Sequence, residues 1–194
     1  LLAFMELVLR TGGAEGRVAV PFSATAGAEE ICARHGATCV RTKADARSLM
    51  ERAGSDSDLM FAGDSEGGFI FPRFLPAFDA MLALGKLLEL WATSETKLSA
   101  VRSRLPQYHR AEAHIECPWE QKGMVMRRLH EDTQGLEVEH LDGIKILLDG
   151  EWVLVLPDVS APRFHVRAES GEAARAEALV DKYAARIREL QEEL

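Results

Sequence analysis

The 194-residue chain is 47% hydrophobic and 28% charged, an ordinary globular composition long enough for one large domain or two small ones. Its net charge is −8, carried mostly by residues 106–194 (11 Lys/Arg against 18 Asp/Glu), and no basic stretch is interleaved with aromatics, which argues against nucleic acid as a partner. No run approaches the ~18 apolar residues that span a bilayer, and three cysteines (Cys32, Cys39, Cys117) are too few for a disulfide framework, so a reducing, cytoplasmic setting is expected.

The chain opens as Leu1-Leu2-Ala3-Phe4-Met5, apolar and without an initiator Met or a signal-type start, so an upstream segment is expected. Residues 1–10 are apolar almost all round, as in a helix covered on several sides. Residues 17–22 (RVAVPF) read as a short strand between Gly16 and Ser23, and 26–35 as a helix stopped by Gly36. A strand at 38–42, a helix at 44–53 ended by Gly54 and a strand at 59–62 follow. After the glycine-rich 63–68 and the apolar 69–71, a long helix is expected from near Pro76 to about Trp91, because proline suits a first helical turn. This alternation implies an α/β domain of three-layer type with at least partly parallel strands.

Near 93–105 the pattern loosens to a short helix (98–104) closed by Pro106, which places the domain break at 105/106. A strand at 108–117 leads into Pro118, which opens an amphipathic helix with Trp119, Gly123, Met126 and Leu129 on one face. Strands at 136–141, 144–148 and 152–156 are joined by Asp142-Gly143 and Asp149-Gly150, strong tight-hairpin signals. A last strand (163–169) precedes a helix from about 171 to 194, with Leu179, Tyr183, Ile187, Leu190 and Leu194 in one stripe. Hairpins flanked by two helices make 106–194 a small α+β domain with an antiparallel sheet.

The stretch Ala62-Gly63-Asp64-Ser65-Glu66-Gly67-Gly68-Phe69 carries the most chemical information. In a parallel-type sheet, ligands bind at the carboxyl ends of the strands. Two carboxylates and a hydroxyl among glycines can accept hydrogen bonds from vicinal sugar hydroxyls. It is not a P-loop, because no Gly-Lys-Ser/Thr follows. Read from the residues alone, the stretch is first of all a glycine-rich turn bearing solvated acids. Cys32, His35 and Cys39 have a zinc-like spacing without an evident fourth ligand, and the two cysteines read better as small apolar packing residues. Arg163, His165 and Arg167 alternate on one face of a strand opposite Phe164 and Val166, as a phosphate-facing set or as an ordinary solvated face.

Gly63-Asp64-Ser65-Glu66-Gly67 resembles the G-E-x-S-G sugar-recognition loop of the α-D-phosphohexomutase superfamily, of the phosphomannomutase/phosphoglucomutase type. Arg41-Thr42-Lys43 upstream, the run FIFPRFLPAFDAMLALGKLLEL, Cys117-Pro118-Trp119-Glu120-Gln121-Lys122-Gly123 and Trp152-Val153-Leu154-Val155-Leu156-Pro157 are similar to the branch often fused to a sugar nucleotidyltransferase of mannose-1-phosphate guanylyltransferase type. The resemblance covers essentially the whole chain as most of domain three, without its first strand, followed by domain four. It implies a partial sugar-recognition domain at 1–105 and a closing domain at 106–194 of an enzyme that interconverts hexose 1-phosphate and hexose 6-phosphate. Gly63, Asp64, Ser65, Glu66, Gly67 and Lys43 are then the expected substrate-binding residues, and Ser160 and Arg163 the candidate phosphate-binding ones. The family's phosphoserine and its D-x-D-G-D-R loop for Mg²⁺ belong to domains one and two and have no counterpart in this sequence. The implied partners are therefore a hexose phosphate and the preceding domains of the same polypeptide, an oligomer being allowed, with no catalytic residue, cofactor or metal expected in this stretch itself.

Two departures from the pattern stand out. Asp64 replaces the loop glutamate and Glu66 its serine; and where domain four usually reads R-x-S-N-T-T-P, this chain reads Leu156-Pro157-Asp158-Val159-Ser160-Ala161-Pro162, an acid in place of a phosphate donor. The second departure supports an alternative expectation, a non-catalytic regulatory or oligomerising module attached to a nucleotidyltransferase.

Overall fold

The computed structural model describes residues 1–12 and 16–193, and the chain divides into two compact units, Leu1–Gln107 and Tyr108–Leu194.

The first unit is built around a four-stranded sheet. Its elements in order are α1 (Leu2–Gly12), β1 (Arg17–Pro21), α2 (Gly27–Arg34), β2 (Thr38–Thr42), α3 (Ala46–Ser55), β3 (Leu59–Gly63), β4 (Phe69–Ile70), α4 (Ala80–Ser94) and α5 (Leu98–Arg102). The strand order is β2-β1-β3-β4, with β1 parallel to both neighbours and β4 antiparallel to β3. Alternation along β1 divides the core between the two faces of the sheet. Val18 and Val20 pack with Phe4, Met5, Ile31 and Phe61, among residues of α1 and α2, whereas Ala19 packs with Leu49 and Ala53 of α3 and with Leu59, Ala62 and Ile70. This is the α/β/α layering expected for this half.

Two features of the first unit depart from expectation. The long helix starts at Ala80 and not near Pro76: Asp79 is its N-cap, in extended conformation, accepting a hydrogen bond from Leu82 N at 2.9 Å. A capping carboxylate satisfies a donor that proline can only lack, so the cap sets the start. In α1 the apolar face continues round to a buried acid, Glu6, whose Oε2 lies 3.0 Å from His35 Nε2 and 3.7 Å from Arg34 Nη1. That pairing uses His35, and its companions Cys32 and Cys39 hydrogen-bond each other, which pushes the Cys39 thiol up. The three residues therefore form no convergent metal set.

The second unit contains β5 (His109–Glu116), α6 (Trp119–Asp132), β6 (Glu137–Glu139), β7 (Ile144–Leu148), β8 (Glu151–Pro157), β9 (Arg163–Ser170) and α7 (Ala173–Glu192). Its five-stranded sheet has the order β5-β9-β8-β7-β6, antiparallel throughout. Both Asp-Gly turns are hairpins, and Gly143 and Gly150 have φ of 77° and 72°, the left-handed conformation glycine supplies most easily. One face of the sheet packs against α6 and α7 through Ile115, Phe164, Val166, Val125, Leu129, Leu179, Tyr183, Ile187 and Leu190. Leu194, expected in the α7 stripe, lies outside the described residues.

The buried face of α6 differs from the expected stripe. Lys122, Val125 and Leu129 are its buried residues, and Trp119 is 52% exposed. The Lys122 ammonium lies 3.8 Å from the Trp119 ring centroid and donates to the carbonyls of Asp158 and Ala161. The register of the helix is thus set partly by a buried lysine that supports a loop, which apolar periodicity cannot register.

Candidate functional site

Strand order locates the site before any side chain does. From β1 the chain moves to β2 on one side, then crosses back to β3 on the other. Crevices of this kind, at the carboxyl ends of strands whose connections diverge, are where open α/β sheets hold ligands. In the first unit that edge is formed by the segments following Pro21, Thr42 and Gly63.

The segment after Gly63 is a loop closed on itself by Asp64. Its Oδ1 accepts from the N–H groups of Glu66 at 2.9 Å and Gly68 at 2.7 Å, while its own N–H donates to the Gly68 carbonyl at 3.0 Å. The short aspartate side chain favours such turns back onto nearby backbone. Glycine is needed at two positions here. Gly67 has φ +100°, and a Cβ on Gly68 would lie 2.6 Å from Phe78 Cε1 and 2.7 Å from Asp64 Oδ2. The result is a tight turn in which Gly63 is buried, Asp64 half-buried, and Ser65, Glu66 and Gly67 exposed.

Lys43 is exposed and follows β2, and β1 lies between it and the 63–68 loop. At roughly 4.8 Å per strand, the strands that carry them lie about 10 Å apart at the sheet edge. The residues between them are fixed by Arg41. Its guanidinium donates to the carbonyls of Pro21 and Ala24, both at 2.8 Å, and of Thr25 at 3.0 Å, and also pairs with the Glu29 carboxylate. In the sequence, Arg41 enters only as part of a flanking match. Its role as the brace of the β1–α2 turn has no sequence signal, because the three acceptors are main-chain groups.

Chemically, the edge offers a carboxylate, Glu66, with no hydrogen bond drawing it inward among those described, a hydroxyl, Ser65, and one ammonium, Lys43. Asp64 contributes Oδ2, since Oδ1 shapes the loop. Such a set can accept from vicinal hydroxyls on one side and neutralise an anion on the other.

The candidate phosphate residues in the second unit are already engaged. Asp158 Oδ1 accepts from Ser160 N at 2.8 Å, Ser160 Oγ at 2.8 Å and Ala161 N at 3.0 Å. Its Oδ2 is 2.8 Å from Arg163 Nε and 3.0 Å from His165 Nε2. The Ser160 N–H and the Arg163 guanidinium, followed by the other partners, hold this carboxyl far below the usual carboxylate range. Ser160 and Arg163 are thus brought together, but around an internal anion. Arg167 turns to Glu112 at 2.9 Å. Elsewhere in this unit a surface cavity of about 500 Å³ is lined by Leu129, Thr133, Leu136 and Tyr183, with Arg186 at its rim held by Asp132 at 2.7 Å.

The family described as "Phosphoglucomutase/phosphomannomutase, alpha/beta/alpha domain III" matches residues 1–108. A phosphoglucomutase/phosphomannomutase of Thermococcus kodakarensis is 32% identical over 178 residues, which is 88% of this chain and 38% of that protein. A phosphoglucosamine mutase of Methanococcus vannielii is 25% identical over 187 residues, 93% of this chain and 41% of that protein. The chain therefore spans about two fifths of the length of these relatives. Among solved structures, a phosphoglucomutase/phosphomannomutase family protein from Burkholderia thailandensis superimposes with a TM-score of 0.78 at 18% identity, over 98% of this chain and 41% of that one. With the matched segment covering more than half of its residues, the chain belongs to the phosphoglucomutase/phosphomannomutase family.

Proposed function

We propose that this chain is the sugar-gripping part of a phosphohexomutase, supplying substrate recognition at the carboxyl edge of β1, β2 and β3 to an enzyme that interconverts hexose 1-phosphates and hexose 6-phosphates. The observation that carries the reading is the self-closed loop at 63–68, which stiffens the turn and presents Ser65 and Glu66 outward at the switch point of the sheet. On this reading the Glu66 carboxylate accepts from two adjacent hydroxyls of the hexose, and Lys43 meets the negative charge of the phosphorylated end. Holding both ends fixes the sugar for in-line transfer, which is where positioning contributes most to phosphoryl chemistry.

The phosphoryl-carrying serine and the Mg²⁺ of such enzymes have no ligand set in this sequence, which contains no D-x-D-G-D-R run. We assign those elements to a preceding part of the same polypeptide, where the ion would supply charge neutralisation at the transferring phosphoryl group. The finer setting, a phosphomannomutase-like region of a chain that also carries a mannose-1-phosphate guanylyltransferase, rests on the branch resemblance of residues 69–90, 117–123 and 152–157. Because the relatives include a phosphoglucosamine mutase, the substrate panel should contain glucose, mannose and glucosamine 1-phosphates.

The engaged state of Asp158 favours one second reading, a mutase-like module that assists a nucleotidyltransferase without turning over. A turnover assay separates the two. The full-length protein is expected to convert at least one hexose 1-phosphate to its 6-phosphate in the presence of Mg²⁺, and the 194-residue chain alone to convert none. Absence of turnover by the full-length protein on the whole panel would favour the module, and turnover by the short chain alone would overturn the division of labour.

A further inference from the structure

The face of the second sheet opposite α6 and α7 carries a cluster that sugar recognition does not use. His114 of β5 and His165 of β9 are direct cross-strand partners, and Glu112 lies two residues before His114 on the same face. The two imidazole centroids are 4.6 Å apart. Glu112 Oε1 lies 3.4 Å from His114 Nε2 and 3.4 Å from His165 Nδ1, and the three donor atoms all fall within 4.8 Å of one another. Among the described residues this is the convergent set of His, Cys, Asp and Glu donors.

We propose that Glu112, His114 and His165 form a binding site for a divalent transition-metal ion of the zinc class. Three observations support it. First, the spacing fits: metal–nitrogen and metal–oxygen bonds of about 2.0–2.2 Å at tetrahedral angles put neighbouring donors about 3.3–3.5 Å apart, and two of the three separations are already there. Second, a support for the metal-bound form is in place. His165 Nε2 lies 3.0 Å from Asp158 Oδ2, so with Nδ1 given to the ion the remaining ring N–H donates to that carboxylate. A carboxylate on the far nitrogen of a ligating histidine is the usual support for a metal–imidazole bond. Third, the donor set is selective: two imidazoles and one carboxylate suit zinc, nickel or copper and poorly suit magnesium or calcium.

Arg167 is the opposing influence, donating to Glu112 Oε1 at 2.9 Å. A carboxylate has about four acceptor sites, so this bond leaves Glu112 able to ligate, while the nearby positive charge weakens binding of a cation. A fourth coordination position faces solvent, since Glu112 and His114 are exposed and His165 half-buried. The ion would tie β5 to β9 and, through Asp158, to the 158–161 loop.

Calorimetric titration of the EDTA-stripped chain with zinc, backed by long-range ¹H–¹⁵N spectra of the imidazoles, tests this. One equivalent of zinc is expected to bind, shifting His165 Nδ1 and His114 Nε2. The affinity should fall at least tenfold in His114→Ala and in His165→Ala, and measurably in Glu112→Gln, an exposed change that spares the fold. His130→Ala, which removes the ring pair that His130 makes with His140 at 4.9 Å between centroids, and Cys32→Ser, which removes the thiol pair, should leave binding unchanged, and magnesium should not compete. The proposal is overturned if zinc does not bind below millimolar concentration, if folded His114→Ala and His165→Ala variants bind as the parent does, or if binding is lost in His130→Ala or Cys32→Ser instead.

Discussion

Asp64 and Asp158 are both short acids that fold a loop around themselves, and they illustrate how one residue type can serve shape before binding. Asp64 satisfies two main-chain N–H groups with one oxygen. Asparagine can do the same through its carbonyl, whereas alanine cannot. Asp64→Asn should therefore keep the thermal stability of the chain nearly intact, and Asp64→Ala should cost about 1–2 kcal/mol, read by denaturant unfolding. Gly67→Ala should cost a similar amount, about 1–3 kcal/mol, because φ of +100° is strained for any residue with a Cβ. Asp158 supports its loop electrostatically, and its folded-state pKa is depressed. A depressed carboxyl stabilises the fold while ionised in both states, and that contribution shrinks once pH drops below the unfolded value of about 3.9. Melting curves should accordingly show Asp158→Asn less stable than the parent at neutral pH, with the gap narrowing below about pH 4. A gap that does not change with pH would contradict the charge-based role.

At the scale of elements, the boundaries that were legible in the sequence are those set by local chemistry. The strand at Thr38–Thr42, the strand at Ile144–Leu148 and both Asp-Gly hairpins fall where β-branched runs and turn residues put them. The misplacements come from competition between local signals. Pro76 suggested a helix start, and the Asp79 cap four residues from Ala83 determined it. Asp79→Ala should cost about 1 kcal/mol by denaturant unfolding and fray the first turn of α4 by hydrogen exchange, whereas Pro76→Ala should leave that turn unchanged. On α6 the visible aromatic, Trp119, turned outward, and Lys122 took the buried place because its ammonium finds carbonyls in a loop 36 residues away. No periodic pattern encodes a partner at that distance. On α7 the stripe of Leu179, Tyr183, Ile187 and Leu190 was legible because burial there is purely apolar. Ile187 is fully buried, and Ile187→Ala should cost about 2–5 kcal/mol.

For the molecule as a whole, the α/β unit and the antiparallel unit were readable from the switch between helix–strand alternation and hairpins, and the family from the order of several short motifs along the chain. The candidate site was readable only in part. Residues 63–68 announce a strand-end loop, but which of its acids shapes the loop and which faces outward follows from side-chain length and main-chain geometry. The brace at Arg41 and the internal anion at Asp158 depend on contacts between segments, which sequence spacing does not report. Among the described residues no helix is long and apolar enough to cross a membrane.

In the proposed function, Glu66, presented by the Asp64-closed loop, grips the hydroxyls of a hexose phosphate. Calorimetric titration of the full-length protein with hexose 1-phosphates, repeated on Glu66→Ala, measures that contact. Loss of one hydrogen-bonded carboxylate contact should weaken binding of the preferred sugar about tenfold or more, with the melting temperature unchanged. Equal affinity in the parent and in a folded Glu66→Ala variant would contradict the claim.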